Sequence, residues 1–170
     1  MTDASYDVVI VGGGPAGATT GRVLAANGIP SLIIDKARFP RPKLCGGLLT
    51  IKTLNLVQQV FGVSIDELKH HSIFDNICEK YELNVGFEKT LISDKAAIPF
   101  YLSERDVYDT FLLHKTRDAG VAVLEGDGIK KVDPDNGLVF TGSGRTFKAK
   151  FIIGADGYNS VMRQIGRAHV

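Results

Sequence analysis

A six-residue stretch near the N-terminus, Gly12–Gly17 (GGGPAG), constrains this chain more than any other feature. Glycine fills the three fixed positions of the pattern G-x-G-x-x-G. The run Tyr6–Val11 before it is apolar and β-branched, which is typical of a strand buried on both faces of a parallel sheet. The residues after it are helical in pattern to Asn27, and Gly28 is the expected residue just beyond the helix. The stretch therefore predicts a tight glycine turn between a buried strand and a helix.

Each glycine of the pattern has a separate physical task in such a turn. Gly12 permits the tight turn out of the strand, Gly14 lets a pyrophosphate approach the backbone, and Gly17 lets the helix pack close to the sheet. The helix N-terminus adds free N–H groups and a partial positive charge, which attract phosphate. A second predicted strand, Ser31–Ile34, ends on Asp35, whose carboxylate is placed to accept hydrogen bonds from a ribose. We therefore predict dinucleotide binding; the alternative is a glycine-rich turn in an unrelated α/β domain, with Asp35 a solvated acid at a strand end.

The composition excludes several other classes of protein. The net charge of +1 gives no electrostatic case for nucleic acid binding. No run of about 18 uncharged apolar residues predicts a transmembrane helix. The N-terminus lacks the basic segment of a signal peptide, which favours the cytoplasm. The two cysteines, Cys45 and Cys78, make neither a disulfide framework nor a zinc-binding spacing, so no metal site is predicted.

The regular strand–helix alternation of a plain NAD-binding domain stops after Asp35. A helix is predicted over Thr50–Phe61, with Leu54, Val57 and Phe61 at helical spacing. Short alternating pieces over Ile73–Leu102, the longest being ICEKYELNV (77–85), indicate a small antiparallel sheet inserted into the nucleotide-binding fold. A second helix is predicted to be capped by Ser103 and to end at Gly120. Its predicted apolar face consists of Val107, Phe111 and Leu112.

The C-terminal part of the chain predicts a β-meander that returns to the parallel sheet. Strand-like segments are predicted at 121–125, 128–132 and 138–140, and the turn Pro134–Gly137 separates the last two. A further turn, Gly142–Gly144, precedes the segment RTFKAKFIIGADG. The apolar run Phe151–Ile153 is predicted to be a strand of the parallel sheet that ends at the sequence Gly154-Ala155-Asp156-Gly157.

Taken together, GGGPAG, an arginine early in the second helix (Arg105), the β-meander and GADGYNSVMR resemble flavoproteins of the glutathione-reductase-like FAD fold. The closer resemblance is to the branch of aromatic hydroxylases, flavin halogenases and geranylgeranyl reductases, and it extends to about Gln164. The resemblance implies an α/β, Rossmann-like FAD-binding domain with a parallel central sheet and a β-meander, interrupted by part of an antiparallel substrate-domain sheet and truncated. Residues 1–70 and 103–164 would form the FAD-binding part, and 71–102 the partial substrate-domain sheet.

The resemblance also implies a role for each matching residue. Asp35 would bind the adenosine ribose, Arg105 would lie against the pyrophosphate or ribose, and Ile129 would offer backbone groups to the adenine. Asp156 would contact the cofactor at the strand end. The alternative for Arg105 is an arginine exposed on the surface, and the alternative for Asp156-Gly157 is a simple turn. The implied cofactor-binding residues are Gly12, Gly14, Pro15, Ala16, Gly17, Asp35, Lys36, Lys43, Cys45, Gly46, Gly47, Arg105, Ile129, Asp156 and Gly157.

The loop RFPRPKLCGG (38–47) narrows the resemblance to the geranylgeranyl reductase group. The resemblance implies that this loop lies near the isoalloxazine ring, where glycines at 46 and 47 would allow close backbone approach. Cys45 would then be close to the flavin and is the candidate catalytic residue. Arg41 and Lys43 could pair with FAD phosphate or with an anionic substrate head group. The alternative for Cys45 is a small loop residue without a chemical role. The alternative for Arg41 and Lys43 is that both are solvated charges of the loop.

The expected function is FAD-dependent reduction of carbon–carbon double bonds in an isoprenoid, geranylgeranyl-type substrate by hydride transfer from reduced flavin. NAD(P)H or a ferredoxin-like donor would supply the electrons, and a lipid substrate would imply peripheral membrane contact. The alternatives are an FAD-dependent monooxygenase or halogenase of the same fold, and a non-catalytic dinucleotide-binding fragment. The tail IGRAHV (165–170) matches a translated sequencing-adapter frame and is expected to be non-native.

Overall fold

The computed structural model describes residues 2–74, 76–86, 89–93 and 99–167. The described elements, in chain order, are β1 (Ala4–Val11), α1 (Pro15–Ala26), β2 (Ser31–Asp35), β3 (Leu48–Thr50), α2 (Ile51–Phe61), α3 (Ile65–His70), β4 (Asn76–Cys78), β5 (Tyr81–Val85), β6 (Lys89–Ser93), β7 (Phe100–Leu102), α4 (Arg105–Asp118), β8 (Ala122–Glu125), β9 (Ile129–Asp133), β10 (Leu138–Thr141), β11 (Thr146–Gly154) and α5 (Val161–Arg167).

A six-stranded sheet in the order β8-β2-β1-β11-β10-β9 carries the glycine turn at the end of β1. β1 pairs in parallel with β2 and β11, and β2 pairs in parallel with β8. The run Val8–Val11 is buried, because core clusters lie on both sides of these strands. The protein is therefore a mixed α/β fold with a mostly parallel central sheet, which confirms the predicted fold class.

The predicted β-meander is formed by β9, β10 and β11, which pair antiparallel in succession. β11 is longer than expected, since TFKAK (146–150) and FIIG (151–154) belong to one continuous strand. Its first half pairs with β10, as in Leu138 opposite Lys148, while its whole length pairs with β1, as in Val8 opposite Phe151. One strand therefore joins the meander to the parallel sheet.

The chain divides into two compact units, Met1–Arg41 with Asp109–Val170, and Pro42–Tyr108. We call them the first and the second unit. The second unit contains the three-stranded sheet β3-β7-β4 and the hairpin β5–β6. The predicted single piece ICEKYELNV is wrong, because it is interrupted at 79–80 and its two halves join different sheets. The predicted substrate-domain segment 71–102 lies within the second unit, and its residues 75, 87–88 and 94–98 lie outside the described residues.

Helix α4 differs from its prediction in register. It begins at Arg105, and the hydroxyl of Ser103, the predicted cap, donates to the carbonyl oxygen of Ile73. Val107, predicted to be apolar core, is 38% exposed. Of the predicted apolar face only Leu112 is buried, and the buried stripe of the helix consists of Tyr108, Asp109, Leu112, Leu113 and Thr116. A charged residue and a threonine in this stripe hid its true register from the apolar pattern.

Two short helices, α3 and α5, were not predicted. α3 begins with a capping box in which the Ser64 hydroxyl accepts from the Glu67 N–H and the Glu67 carboxylate accepts from the Ser64 N–H. α5 reaches Arg167, so the expected non-native tail begins inside it, and 168–170 lie outside the described residues. None of the helices in the described part of the chain is both long enough and apolar enough to span a bilayer.

Candidate functional site

The glycine turn is tight because the chain packs against itself there. Gly12 has φ +107°, and its N–H donates to the carbonyl oxygen of Ile34 at 2.8 Å. A Cβ on Gly12 would lie 2.9 Å from the Asp156 Cα and would overlap the carbonyl of Ala155. A Cβ on Gly17 would overlap the carbonyl oxygen of Gly12. The first and last glycines of the pattern are therefore required by close packing of the turn against β11 and of α1 against the turn.

Gly14 has a different environment, because no backbone atom of the described residues crowds its Cβ position. It is the N-cap of α1, Pro15 follows at the first helical position, and no side chain of the described residues caps the helix. The first turn contains no acidic residue. Within the described chain, the only atom near a would-be Cβ of Gly14 is Nη2 of Arg41, at 3.3 Å. The helix N-terminus thus offers N–H groups that suit an anion.

Asp35 ties the glycine turn to the end of β2. Its carboxylate is buried, and Oδ2 accepts from the Gly13 N–H at 2.6 Å while Oδ1 accepts from the Ala37 N–H at 2.8 Å. An ionised carboxylate has about four acceptor positions. These two bonds fix the orientation of Asp35 and leave acceptor capacity for hydroxyl groups of a ligand.

Asp156, at the end of β11, binds the N-terminus of α5. Its Oδ2 accepts from the N–H groups of Val161 at 2.6 Å and Met162 at 3.2 Å. Burial raises the pKa of this carboxyl, but hydrogen bonds from the Ser160 side chain and from the backbone outweigh burial and hold its pKa below the ordinary value. Asp156 is therefore ionised at neutral pH, and its predicted contact with a cofactor stays a prediction. Gly157 follows with φ +78°.

A cavity of about 100 Å³ in the first unit brings five of the predicted residues together, and we call it the nucleotide cavity. The predicted residues are Gly12, Asp35, Lys36, Ile129 and Asp156. Sequence reasoning missed Gly128 and Asn159, which also line it. The remaining lining residues are Val11, Ile34 and Val161. The cavity lies at the carboxyl ends of β1 and β2, where ligands bind in open α/β sheets.

A larger cavity of about 460 Å³ lies in the second unit and contains Cys45, and we call it the thiol pocket. Its lining includes four predicted residues: Lys43, Cys45, Gly46 and Arg105. The Gly47 N–H, a hydrogen bond from Arg105 and the charges of Arg105 and Lys43 lower the pKa of the exposed Cys45 thiol. The pocket thus combines a thiol of enhanced acidity with two cationic side chains.

Gly47 is glycine for a reason within the chain. Its φ is +70°, and a Cβ would overlap the carbonyl oxygen of Ser103. The Ser103 N–H in turn donates to the Gly47 carbonyl at 2.9 Å. Backbone packing explains this glycine, whereas a Cβ on Gly46 would meet open space among the described residues. Close approach of either glycine to a flavin stays a prediction.

Sequence reasoning also missed the partner of Arg41. Its Nη2 lies 3.2 Å from Oδ2 of Asp109, whose side chain is fully buried. The apolar pattern hid this pair, because Asp109 and Thr116 are polar residues on the helical face that they share with Leu113, at spacings of four and seven residues from Asp109. An acidic residue in a buried stripe calls for a cation nearby.

Among the described residues, no group of three or more His, Cys, Asp or Glu side chains is arranged to hold a metal ion.

These features define an α/β dinucleotide-binding protein of the glycine-turn type. The chain belongs to the FAD binding domain family, whose match covers residues 5–168. It is 34% identical over 162 residues to an uncharacterized protein of Methanosarcina barkeri, and the match covers 94% of this chain and 39% of that relative. The chain therefore spans about two fifths of the length of this relative.

Two solved structures share the fold over nearly the whole chain. One is the myxobacterial chondrochloren halogenase, an FAD-dependent halogenase, with a TM-score of 0.79, 25% identity, and coverage of 93% of this chain and 38% of that one. The other is a geranylgeranyl bacteriochlorophyll reductase-like protein of Thermoplasma acidophilum, with a TM-score of 0.75, 30% identity, and coverage of 91% and 40%.

The residues of the first unit fit FAD. Gly14 leaves room beside a helix N-terminus that no described side chain caps, as a pyrophosphate requires. Nη1 of Arg41 is buried and has no hydrogen-bond partner within the described part of the chain. The site thus presents donors for an anion at the place where the sequence pattern predicts the pyrophosphate.

Proposed function

We propose that the chain is the FAD-binding part of an oxidoreductase that reduces carbon–carbon double bonds of an isoprenoid substrate. The observation that carries this proposal is the thiol pocket, in which the Lys43-x-Cys45-Gly46 segment of the reductase-like loop lines a cavity together with Arg105. The 30% identity to the Thermoplasma reductase-like protein supports the same class.

In this proposal the first unit holds the adenosine and pyrophosphate half of FAD. The backbone around Gly12, Gly14 and Gly17, with Pro15 and Ala16 in the first turn of α1, binds the pyrophosphate. Asp35 accepts hydrogen bonds from the ribose, for which its two backbone bonds orient it. Backbone groups at Ile129, beside Lys36 in the nucleotide cavity, contact the adenine, and Asp156-Gly157 contacts the cofactor at the end of β11.

The thiol pocket holds the groups proposed to act on the substrate. Reduction of a double bond adds a hydride to one carbon and a proton to the other, and FAD, when reduced, supplies the hydride. The Cys45 thiol holds a proton at Sγ, and its lowered pKa brings the group closer to neutral pH, where proton transfer is efficient. Lys43 and Arg105 supply positive charge for an anionic group, either of FAD or of an isoprenoid diphosphate. NAD(P)H or a ferredoxin-like protein is the proposed electron donor, and a lipid substrate would bring the protein to a membrane surface.

A second candidate is an FAD-dependent monooxygenase or halogenase. The similarity to the chondrochloren halogenase, with its TM-score of 0.79, favours this alternative. A third candidate is a dinucleotide-binding fragment without turnover, which the coverage of 39% of the Methanosarcina relative favours.

The complete reading frame, expressed and reduced without oxygen, distinguishes these candidates. Incubation with geranylgeranyl diphosphate is expected to give a product that has gained two hydrogens per reduced double bond, measured by mass spectrometry. Cys45→Ser is expected to slow this conversion, and Cys78→Ser, whose thiol donates to the Lys80 carbonyl, is the matched control. A product that is hydroxylated only after oxygen is added, or halogenated only after oxygen and a halide salt are added, would reject the reductase. Flavin binding without any turnover would support the third candidate.

A further inference from the structure

Arg41 is held in a fixed orientation beside the glycine turn. One end of its guanidinium, Nη2, pairs with the fully buried Asp109 at 3.2 Å. Its Cζ lies 4.7 Å from the centroid of the Phe39 ring. The Arg41 side chain is 17% exposed. An arginine with this much contact loses little further freedom when it binds a ligand.

The other terminal nitrogen of the same guanidinium, Nη1, has no hydrogen-bond acceptor among the described residues. Nη1 is shielded from water, and no protein atom of the described residues accepts its hydrogen bonds. Buried donors are normally paired, and an exception calls for an explanation. Because Nη2 lies 3.3 Å from the Cβ position of Gly14, the guanidinium stands beside the N-cap of α1. An anion at this helix N-terminus is therefore close to the unsatisfied donor of Arg41.

We propose that Arg41, oriented by Asp109, is a binding residue that donates from Nη1 to the pyrophosphate of FAD. Arginine suits this task because its planar group bonds to a carboxylate and to a phosphate through different nitrogen atoms at once. Lysine has a single ammonium and cannot reproduce that fork. The inference rests on the FAD binding proposed above, and it is independent of the isoprenoid substrate.

The test compares ligands that share adenosine and differ in the groups attached to it. FAD, ADP and adenosine are titrated into the 170-residue chain by isothermal titration calorimetry. Arg41→Gln is expected to weaken FAD and ADP binding about 10-fold or more, as for a lost hydrogen bond to a charged group, and to leave adenosine binding unchanged. Arg41→Lys is expected to restore only part of the affinity. Arg145→Gln is the matched control, because it removes the same charge from the exposed hairpin between β10 and β11 and should leave all three affinities unchanged.

A second variant separates binding from folding. Arg41→Gln removes the cation that pairs with buried Asp109, so the double variant Arg41→Gln/Asp109→Asn, which removes both charges, is measured beside it and is expected to show the same selective loss. Equal weakening of adenosine and ADP would show a purely structural role and overturn the inference. Unchanged FAD affinity in Arg41→Gln would overturn it while the proposed function stands. A wild-type chain that binds neither FAD nor ADP would overturn both.

Discussion

A few neighbouring groups lower the pKa of the Cys45 thiol. The Gly47 N–H and then Arg105 stabilise the thiolate, so the Cys45 pKa lies below that of an ordinary cysteine. The rate of alkylation by iodoacetamide follows the thiolate fraction, and we expect its midpoint for Cys45 to fall at lower pH than for a cysteine in an unfolded peptide. Arg105→Gln should move that midpoint to higher pH. A rate profile unaltered by this change would contradict the assignment, and Cys78→Ser removes the other thiol from the measurement.

Gly17 shows how one absent methyl group fixes a backbone contact. Replacing glycine by alanine inside a helix ordinarily stabilises it by about 0.5–1 kcal/mol. At Gly17 we expect the opposite sign, a loss of about 1–3 kcal/mol, because the new Cβ would overlap the Gly12 carbonyl oxygen. Gly21→Ala is the graded control, since its Cβ would meet side-chain atoms, Cδ1 of Ile33 at 2.9 Å and Cγ2 of Thr116 at 3.0 Å, rather than backbone. Urea unfolding of the two variants measures the difference, and a Gly17→Ala protein as stable as the wild type would disprove the close contact.

At the level of elements, the sequence predicted those whose signals are local. Helix α1 ends as expected. Gly28 has φ +68°, and its N–H donates to the Ala25 carbonyl, because glycine readily adopts the left-handed conformation that ends a helix. Helix α2 buries Leu54, Val57 and Phe61, the residues that the spacing indicated. The buried face of α4, which long-range contacts decide, was predicted only in part.

The incomplete prediction of α4 has a physical cause. The buried face of α4 is set by partners far along the chain: the Thr116 hydroxyl donates to the Ala18 carbonyl at 2.9 Å, and Asp109 pairs with Arg41. A polar residue satisfied by such a partner is buried at no great cost, and an apolar pattern cannot reveal it. The candidate site shows the same division, since the glycine turn was readable from its motif and the orientation of Arg41 was not.

The capping box of α3 allows a test on a single element. The Ser64 hydroxyl accepts from the Glu67 N–H at 3.1 Å, and this short helix of six residues buries only Leu68. Ser64→Ala should therefore cost about 1 kcal/mol of stability, whereas Ser64→Asp, which retains an acceptor at the N-cap, should cost much less. Hydrogen exchange of the α3 amides is the local measurement. Equal exchange in both variants would mean that the cap contributes nothing.

For the whole molecule, the proposed cofactor contacts in the first unit predict a selective effect of FAD on stability. The glycine turn, Asp35 and Arg41 all belong to that unit, and a ligand that binds only the folded state stabilises it by about 2.7 kcal/mol at 100 times its Kd. We expect FAD to slow hydrogen exchange in β1, β2 and α1 and to raise the melting temperature. FMN, which lacks the adenosine and one of the two phosphates, should have a smaller effect at the same concentration, because the nucleotide cavity would have no ligand group to bind. Asp35→Asn should reduce the effect of FAD, since an amide supplies one acceptor oxygen in place of two. Equal protection by FMN would assign the binding to the isoalloxazine half and contradict the placement of the adenosine half in the first unit.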